Sequence, residues 1–330
     1  MCNFRKGGFF MKSFTVGSND ASLRLDKFIA KNIPALPKSL MYKYIRQKDI
    51  KVNGKRAEIS TRLKAGDVVD AYVKDEFLIP PKKHYDFLSA SKQLKIVYED
   101  ENILLADKPQ GVLSHPDEKE YTDTLISRIQ RYLYEKGEYD PEKENTFAPA
   151  LANRIDRGTG GIVIAAKNAE SLRVLCDKIK HREIDKRYLT VVHGVPKRKK
   201  DLLTGYLQKN EQKNKVYLSS EKAAGSSEIR TAYTVIAEKD NLALLEIELL
   251  TGRTHQIRAH LASIGHPLLG DGKYGKLAND KKLGFTRQAL YSYKLTFSFE
   301  SDAGILNYLK DKTFAVDRVW FAEELFSTKF

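Results

Sequence analysis

The sequence predicts an α+β protein in two parts: a small basic module of two helices and a hairpin, then a larger domain built on a mixed, mostly antiparallel sheet with flanking helices. Three observations carry this reading. Residues 24–64 hold 12 Lys or Arg against 3 Asp or Glu, a net +9 in a chain whose total is +14. Pro80-Pro81 and their polar neighbours mark residues 77–93 as a linker. Beyond the linker, apolar runs of strand length separated by short turns outnumber helical patterns.

The elements follow in order. Residues 1–14 read as a tail, with Met11 a second candidate start, and residues 15–76 as the basic module. Leu25, Phe28, Ile29 and Ile33 recur at helical spacing, and after "PALPK" a second helix carries Met41, Tyr44 and Ile45, with Ser39 as its cap. Asn53-Gly54 between strand-like flanks signals a hairpin, with Lys51, Lys55 and Arg56 around the turn. Together with Lys38, Lys43 and Arg46 on the second helix, these cations make the module an RNA-binding candidate. The larger domain, 94–330, opens with strands either side of the Asp100-Glu101-Asn102 turn. "NAESLRVLCDKIKH" is an amphipathic helix with Leu172, Leu175, Cys176 and Ile179 on one face and Asn168 placed to cap it. "RYLTVVHG", "RTAYTVIAE" and "LALLEIELL" are strands, the last two joined by a Lys-Asp-Asn turn, and "FAVDRVWFAEELF" reads as a terminal helix.

Composition narrows the classes. A chain of 330 residues has room for about two domains at ~150 residues each. The +14 charge favours an acidic partner, nucleic acid first and anionic lipid second. Cys2 and Cys176 give no disulfide framework and no metal-binding pair, which suits a reducing, cytoplasmic setting. No signal peptide or stretch of ~20 apolar residues is visible. A monomer is the default expectation.

Chemistry concentrates in two stretches. In "NRIDRGTGGIVIAAKN", Asp156 stands between Arg154 and Arg157 before paired glycines; taken alone this could be no more than a turn leading into a strand. In an extended segment Arg154 and Asp156 share a face and Arg157 does not. A nearby guanidinium lowers a carboxylate's pKa by roughly 1 to 3 units, which would keep such a group ionised when desolvated. In "TGRTHQIRAHLASIGHPLLGDGKYG", Thr254 is placed to cap a helix bearing Ile257, Leu261 and Ile264, which Gly265 and Pro267 end. Arg258 sits inside that helix. Turned inward it must find a carboxylate or phosphate, and Asp156 is the candidate. His255, His260 and His266 lack the i, i+4 spacing of a zinc helix, and "GDGKYG" reads as a turn, not a phosphate loop.

The order of these motifs is similar to known families. "LRLDKFIAKNIP", "KSLMYKYIRQKDIKVNGKRA" and "LKAGDVV" resemble the S4 RNA-binding domain over roughly residues 15–75. "DKPQGVLSHP", "NRIDRGTGGIVIAAKN", "DKRYLTVVHG", "TGRTHQIRAHLASIGHPLLGDGKYG" and "RQALYSYKLTF" resemble the RluA-type pseudouridine synthases, in family order, from about 94 to 297. The resemblance implies a cofactor-free, metal-free isomerisation of uridine in RNA, most simply 23S ribosomal RNA. Asp156 falls on the catalytic aspartate, which either attacks C1′ or removes the C2′ proton. Tyr188 falls on the tyrosine that packs against the target base and assists at C5. Arg258 falls on the aspartate's partner, and Arg154 on the arginine that fills the gap left by the extruded nucleotide. The chain departs from the family with Asn153 for the usual His, Gly158-Thr159-Gly160-Gly161 after the aspartate, and Leu290-Tyr291-Ser292 in place of "LHA".

Two rival functions remain. A hydrolytic nucleoside glycosylase usually needs a companion acid to manage water, and none stands in these motifs. A catalytically inactive, ribosome-binding assembly factor would use the basic module alone, and would have been favoured by the loss of Asp156.

Overall fold

The computed structural model describes residues 4–5, 9–79, 85–210, 215–275 and 277–328, and divides into two compact units. The first comprises Met1–Leu88 with Gln130–Pro149 and Asn168–Glu170; the second comprises Ser89–Ile129, Ala150–Lys167 and Ser171–Phe330. Residues 130–149, which the sequence pattern keeps in 94–330, cluster with the first unit. Polar bonds help to explain this, since Asn145 Nδ2 and Thr146 Oγ1 both donate to the buried carboxylate of Asp20, at 2.8 and 2.5 Å.

In the first unit, helices Leu25–Asn32 and Lys38–Arg46 pack Leu25, Phe28, Ile29, Met41, Tyr44 and Ile45 into one core. The predicted cap is corrected: the second helix starts at Lys38 after Pro37, so Ser39 lies inside it. The hairpin stands where Asn53-Gly54 placed it, both residues at positive φ (52° and 71°) between strands Ile50–Val52 and Lys55–Arg56. The tail is also corrected. Residues 9–15 form a strand paired along its length with Val68–Lys74, because every second side chain of "FFMKSFTV" can reach the module's core, as Phe14 and Val16 do. Cys2 and the Pro80-Pro81 linker signal lie outside the described residues.

Among the described residues the second unit is built on an 11-stranded sheet whose main path runs Lys215–Ser219, Lys200–Asn210, Ser227–Lys239, Leu242–Leu249, Asp185–His193, Leu290–Thr296, Gly160–Ala166, Ile103–Lys108, Lys95–Glu99. Leu290–Thr296 pairs Gly160–Ala166 in parallel and the remaining pairs are antiparallel, as the hairpin signals implied. Asp240 and Asn241, both at positive φ, make the tight turn between two of the strands. The paired strands Lys200–Asn210 and Lys215–Ser219 and the helix Leu125–Glu135 had no clear sequence signal. At the C-terminal end, Thr313–Ala315 is a short strand paired with Leu290–Thr296, and the helix is limited to Trp320–Phe326.

Two helical faces differ from expectation. On Ala169–His181, Leu175 is buried but Cys176 is exposed, and Lys178 is buried instead. Lys178 reaches Glu183 and Ser301, an ion pair that a hydrophobic pattern cannot reveal. The helix bearing Arg258 spans Gln256–Ser263, with His255, not Thr254, at its N-cap and Ile264 exposed at its end. Its Ala259 packs on Leu207, Val216 and Ile229 of the sheet, while Arg258 reaches the loop carboxylates of Asp156 and Asp271. Among the described residues no helix is long and apolar enough to cross a membrane.

Candidate active site

Asp156 lies in the loop between strand Ala150–Leu151 and strand Gly160–Ala166. The glycines hold that loop against its neighbour. A Cβ on Gly160 would stand 2.3 Å from the Tyr291 ring, and one on Gly161, whose φ is +108°, would stand 2.2 Å from the Ser292 carbonyl oxygen. Bare backbone here lets the parallel strand close up, and the Tyr291 ring fills the space that Gly160 leaves. Ser114 Oγ donates to the Ile155 carbonyl at 2.9 Å and accepts the Ile155 N–H at 3.3 Å, which holds the backbone just before Asp156.

Arg154, Asp156, Tyr188 and Arg258 all line one cavity of about 270 Å³, together with Lys186, Arg253 and His255. That is near the lower end of ligand pockets, about 300 Å³. Arg154 stands exposed at the rim. Arg157 turns away, its Nε donating to the Gly111 carbonyl at 2.9 Å. Asp156 Oδ2 accepts from Arg258 Nη1 at 2.9 Å, so its guanidinium partner is distant in sequence and not either neighbour.

Arg258 does more than pair with Asp156. Its Nε and Nη2 donate to Asp271 Oδ2 and Oδ1 at 2.7 and 2.8 Å, a two-pronged bond to a carboxylate with no exposed surface. Burial works against the Arg258 charge, but the two carboxylates outweigh it and hold its pKa above the ordinary arginine value. Burial likewise raises Asp271, yet Arg258 and the backbone N–H groups of Lys273 and Tyr274 bring it below the usual carboxylate range. Asp271 is thus a companion acid that the sequence pattern did not reveal, because "GDGKYG" gave only a turn. It is engaged on both oxygens and positions a cation instead of a water. The available signal was that an inward arginine has five N–H groups, more than one carboxylate takes up.

Tyr188, beside Lys186 on strand Asp185–His193, is buried, and its hydroxyl is pushed up to about 12 by burial, with the charge of Asp156 adding to the effect. It remains a phenol at neutral pH. Lys108 also had no sequence signal. It is fully buried behind the loop and donates to the carbonyls of Pro109, Val112 and Arg157 at 3.2, 2.7 and 3.3 Å. Burial pushes its ammonium down to about 7, against the opposite pull of Asp156. The three histidines do not converge: His255 faces Asp156, His260 meets Thr231 Oγ1 in the interior, and His266 lies against the His193 carbonyl.

In the first unit Lys38, Lys43, Arg46, Lys55 and Arg56 are exposed, and Lys51 is half-buried with its ammonium 5.7 Å from the Tyr72 ring centre. The pair Arg56–Glu58, at 3.8 Å between two exposed side chains, constrains Arg56 little.

A family model described as RNA pseudouridylate synthase matches residues 102–263, and one described as S4 domain matches residues 23–69. An uncharacterized RNA pseudouridine synthase of Mycoplasma genitalium is 34% identical over 293 residues, covering 86% of this chain and 88% of the relative. The ribosomal large subunit pseudouridine synthase D of Borreliella burgdorferi is 30% identical over 304 residues, covering 91% and 87%. The ribosomal large subunit pseudouridine synthase C of Haemophilus ducreyi is 29% identical and covers 88% of each chain. Among solved structures, human RNA pseudouridylate synthase domain containing 1 shares the fold, with a TM-score of 0.52 at 19% identity over 68% of this chain and 83% of that one.

Proposed function

The chain belongs to the RNA pseudouridine synthase family and carries an S4 domain, and from that premise we propose that it isomerises uridines of large-subunit ribosomal RNA through Asp156, on a nucleotide turned out of its stack. The reaction breaks the bond from C1′ to N1 and makes one from C1′ to C5. The C5 proton is lost and N1 gains one, so no cofactor or redox partner is called for. A stacked nucleotide hides its anomeric carbon, so extrusion is a physical requirement of the chemistry.

One observation carries the reading: Asp156 stands in a nucleoside-scale cavity, with one oxygen held by Arg258 and Arg258 itself clamped by Asp271. In this reading the carboxylate acts at the ribose of the extruded uridine. Tyr188 packs on the uracil and serves C5 chemistry as a phenol, since its raised pKa disfavours a phenolate. Arg154, at the rim, occupies the space the nucleotide leaves. The exposed cations Lys38, Lys43, Arg46, Lys55 and Arg56, with Lys51, hold the RNA backbone. Ribosomal RNA is favoured because relatives named as large-subunit synthases match along most of their length.

The test is tritium release from 23S transcripts labelled at C5 of uridine. Wild type should release tritium and form pseudouridine, and Asp156→Asn should release none. Equal release by both would remove Asp156 from the chemistry.

A further inference from the structure

Just before the Arg258 helix stands His255, with φ 55° and ψ 16°, in the left-handed region that non-glycine residues seldom adopt. Such a residue persists where its surroundings over-determine it, and often where a site needs it. Its ring is held on two sides. Nδ1 is 3.1 Å from the Tyr274 hydroxyl, and the two rings meet edge to face with centroids 5.8 Å apart. Nε2 is 3.7 Å from Asp156 Oδ2, the same oxygen that takes Arg258 Nη1 at 2.9 Å.

The neighbours favour one placement of the proton. Nε2 faces a carboxylate oxygen, which accepts and does not donate, and Nδ1 faces a hydroxyl that can donate to it while its oxygen takes the backbone N–H of Val216 at 3.0 Å. An imidazole that accepts at Nδ1 and is neutral carries its proton on Nε2. The ring is neutral near pH 7: burial pushes it down to about 4, Arg258 and Lys273 add to that, and Asp156 and Asp271 oppose it. Nε2–H therefore faces Asp156 as a donor, within about 1 Å of hydrogen-bond range. Catalytic hydrogen bonds of this length commonly tighten when substrate fills the site.

We propose that His255 is a positioning residue: Tyr274 and the Val216 N–H lock it as the Nε2–H tautomer, and with Arg258 it engages Oδ2 of Asp156, so that Oδ1 is the oxygen presented to the ribose. This rests on Asp156 being the catalytic group. Val216 belongs to the edge strand Lys215–Ser219, so a hydrogen-bonded chain runs from the sheet edge to the carboxylate.

The tautomer is read directly by ¹⁵N NMR of histidine-labelled full-length protein, without substrate. Wild type should show His255 neutral with the proton on Nε2 at pH 7. Tyr274→Phe keeps the ring but removes the donor, so the Nδ1–H form should appear. In activity, His255→Leu should lower kcat by roughly 10- to 100-fold, the worth of one hydrogen bond to a charged group, with little change in KM. His255→Gln, which retains an N–H donor, should recover most of it. A wild-type ring protonated on Nδ1, a tautomer unmoved by Tyr274→Phe, or equal kcat for Leu and Gln overturns the proposal. Because the NMR arm needs no turnover, an inactive wild type would instead count against the functional reading.

Discussion

Replacing Arg258 with lysine keeps the charge and removes the fork. Arg258 makes three charge-assisted hydrogen bonds, two to Asp271 at 2.7 and 2.8 Å and one to Asp156 at 2.9 Å. Each is worth about 1.5–3 kcal/mol. A single ammonium lacks the guanidinium geometry that spans both carboxylates, and it stays with the one that has no access to water, Asp271. Asp156 then loses its bond, which lowers kcat by roughly 10- to 100-fold. Asp271 keeps one of its two bonds from residue 258, and the loss of the other costs about 1.5–3 kcal/mol of stability, or a fall in Tm of roughly 3–12 °C for a domain of this size. Single-turnover tritium release measures the first effect and thermal unfolding the second. A variant with wild-type rate and wild-type Tm would refute the claim that Asp271 holds Arg258 and Arg258 holds Asp156.

Other outcomes follow from the same structure. Glu183, held by Lys178 and Ser301, titrates at about 2 instead of 4.5. A carboxylate depressed on folding stabilises above its unfolded pKa and loses that contribution as pH falls through the folded one. Glu183→Gln should therefore be less stable than wild type at pH 6, and chemical denaturation curves should converge as pH falls from 4.5 towards 2. Gly161→Ala meets the Ser292 carbonyl oxygen at 2.2 Å from a φ of +108° and should destabilise by about 1–3 kcal/mol or more, measured by urea unfolding. Replacing Arg46 and Lys55 by alanine should weaken binding to structured RNA and flatten the dependence of log K on log salt by about 1 for each phosphate no longer neutralised. An unchanged slope removes those residues from the RNA interface.

What was legible in the sequence followed local rules. Turn chemistry placed the Asn53-Gly54 hairpin and the Asp240-Asn241 turn, and apolar spacing found the Leu25 and Lys38 helices, because those signals act within a few residues. Asp156 and an inward Arg258 were legible because a buried charge demands a partner. Asp271, Lys108 and Tyr274 were not, since each matters through what it meets more than ten residues away. Cys176 and Lys178 show the same limit from the other side. A helical stripe counts a cysteine as core and a lysine as surface, and here Glu183 and Ser301 make the buried lysine tolerable. The strand at residues 9–15 was not legible because it pairs with a run some sixty positions later, where no local signal reaches.

The central claim is that this chain makes pseudouridine through Asp156, and its most direct test is pseudouridine mapping of ribosomal and transfer RNA from cells lacking the protein, complemented with wild type or Asp156→Asn. The account predicts a 23S position that loses its pseudouridine and regains it with wild type alone. A full set of sites in every strain, with redundant synthases also deleted, would contradict it and leave an RNA-binding assembly factor as the better description.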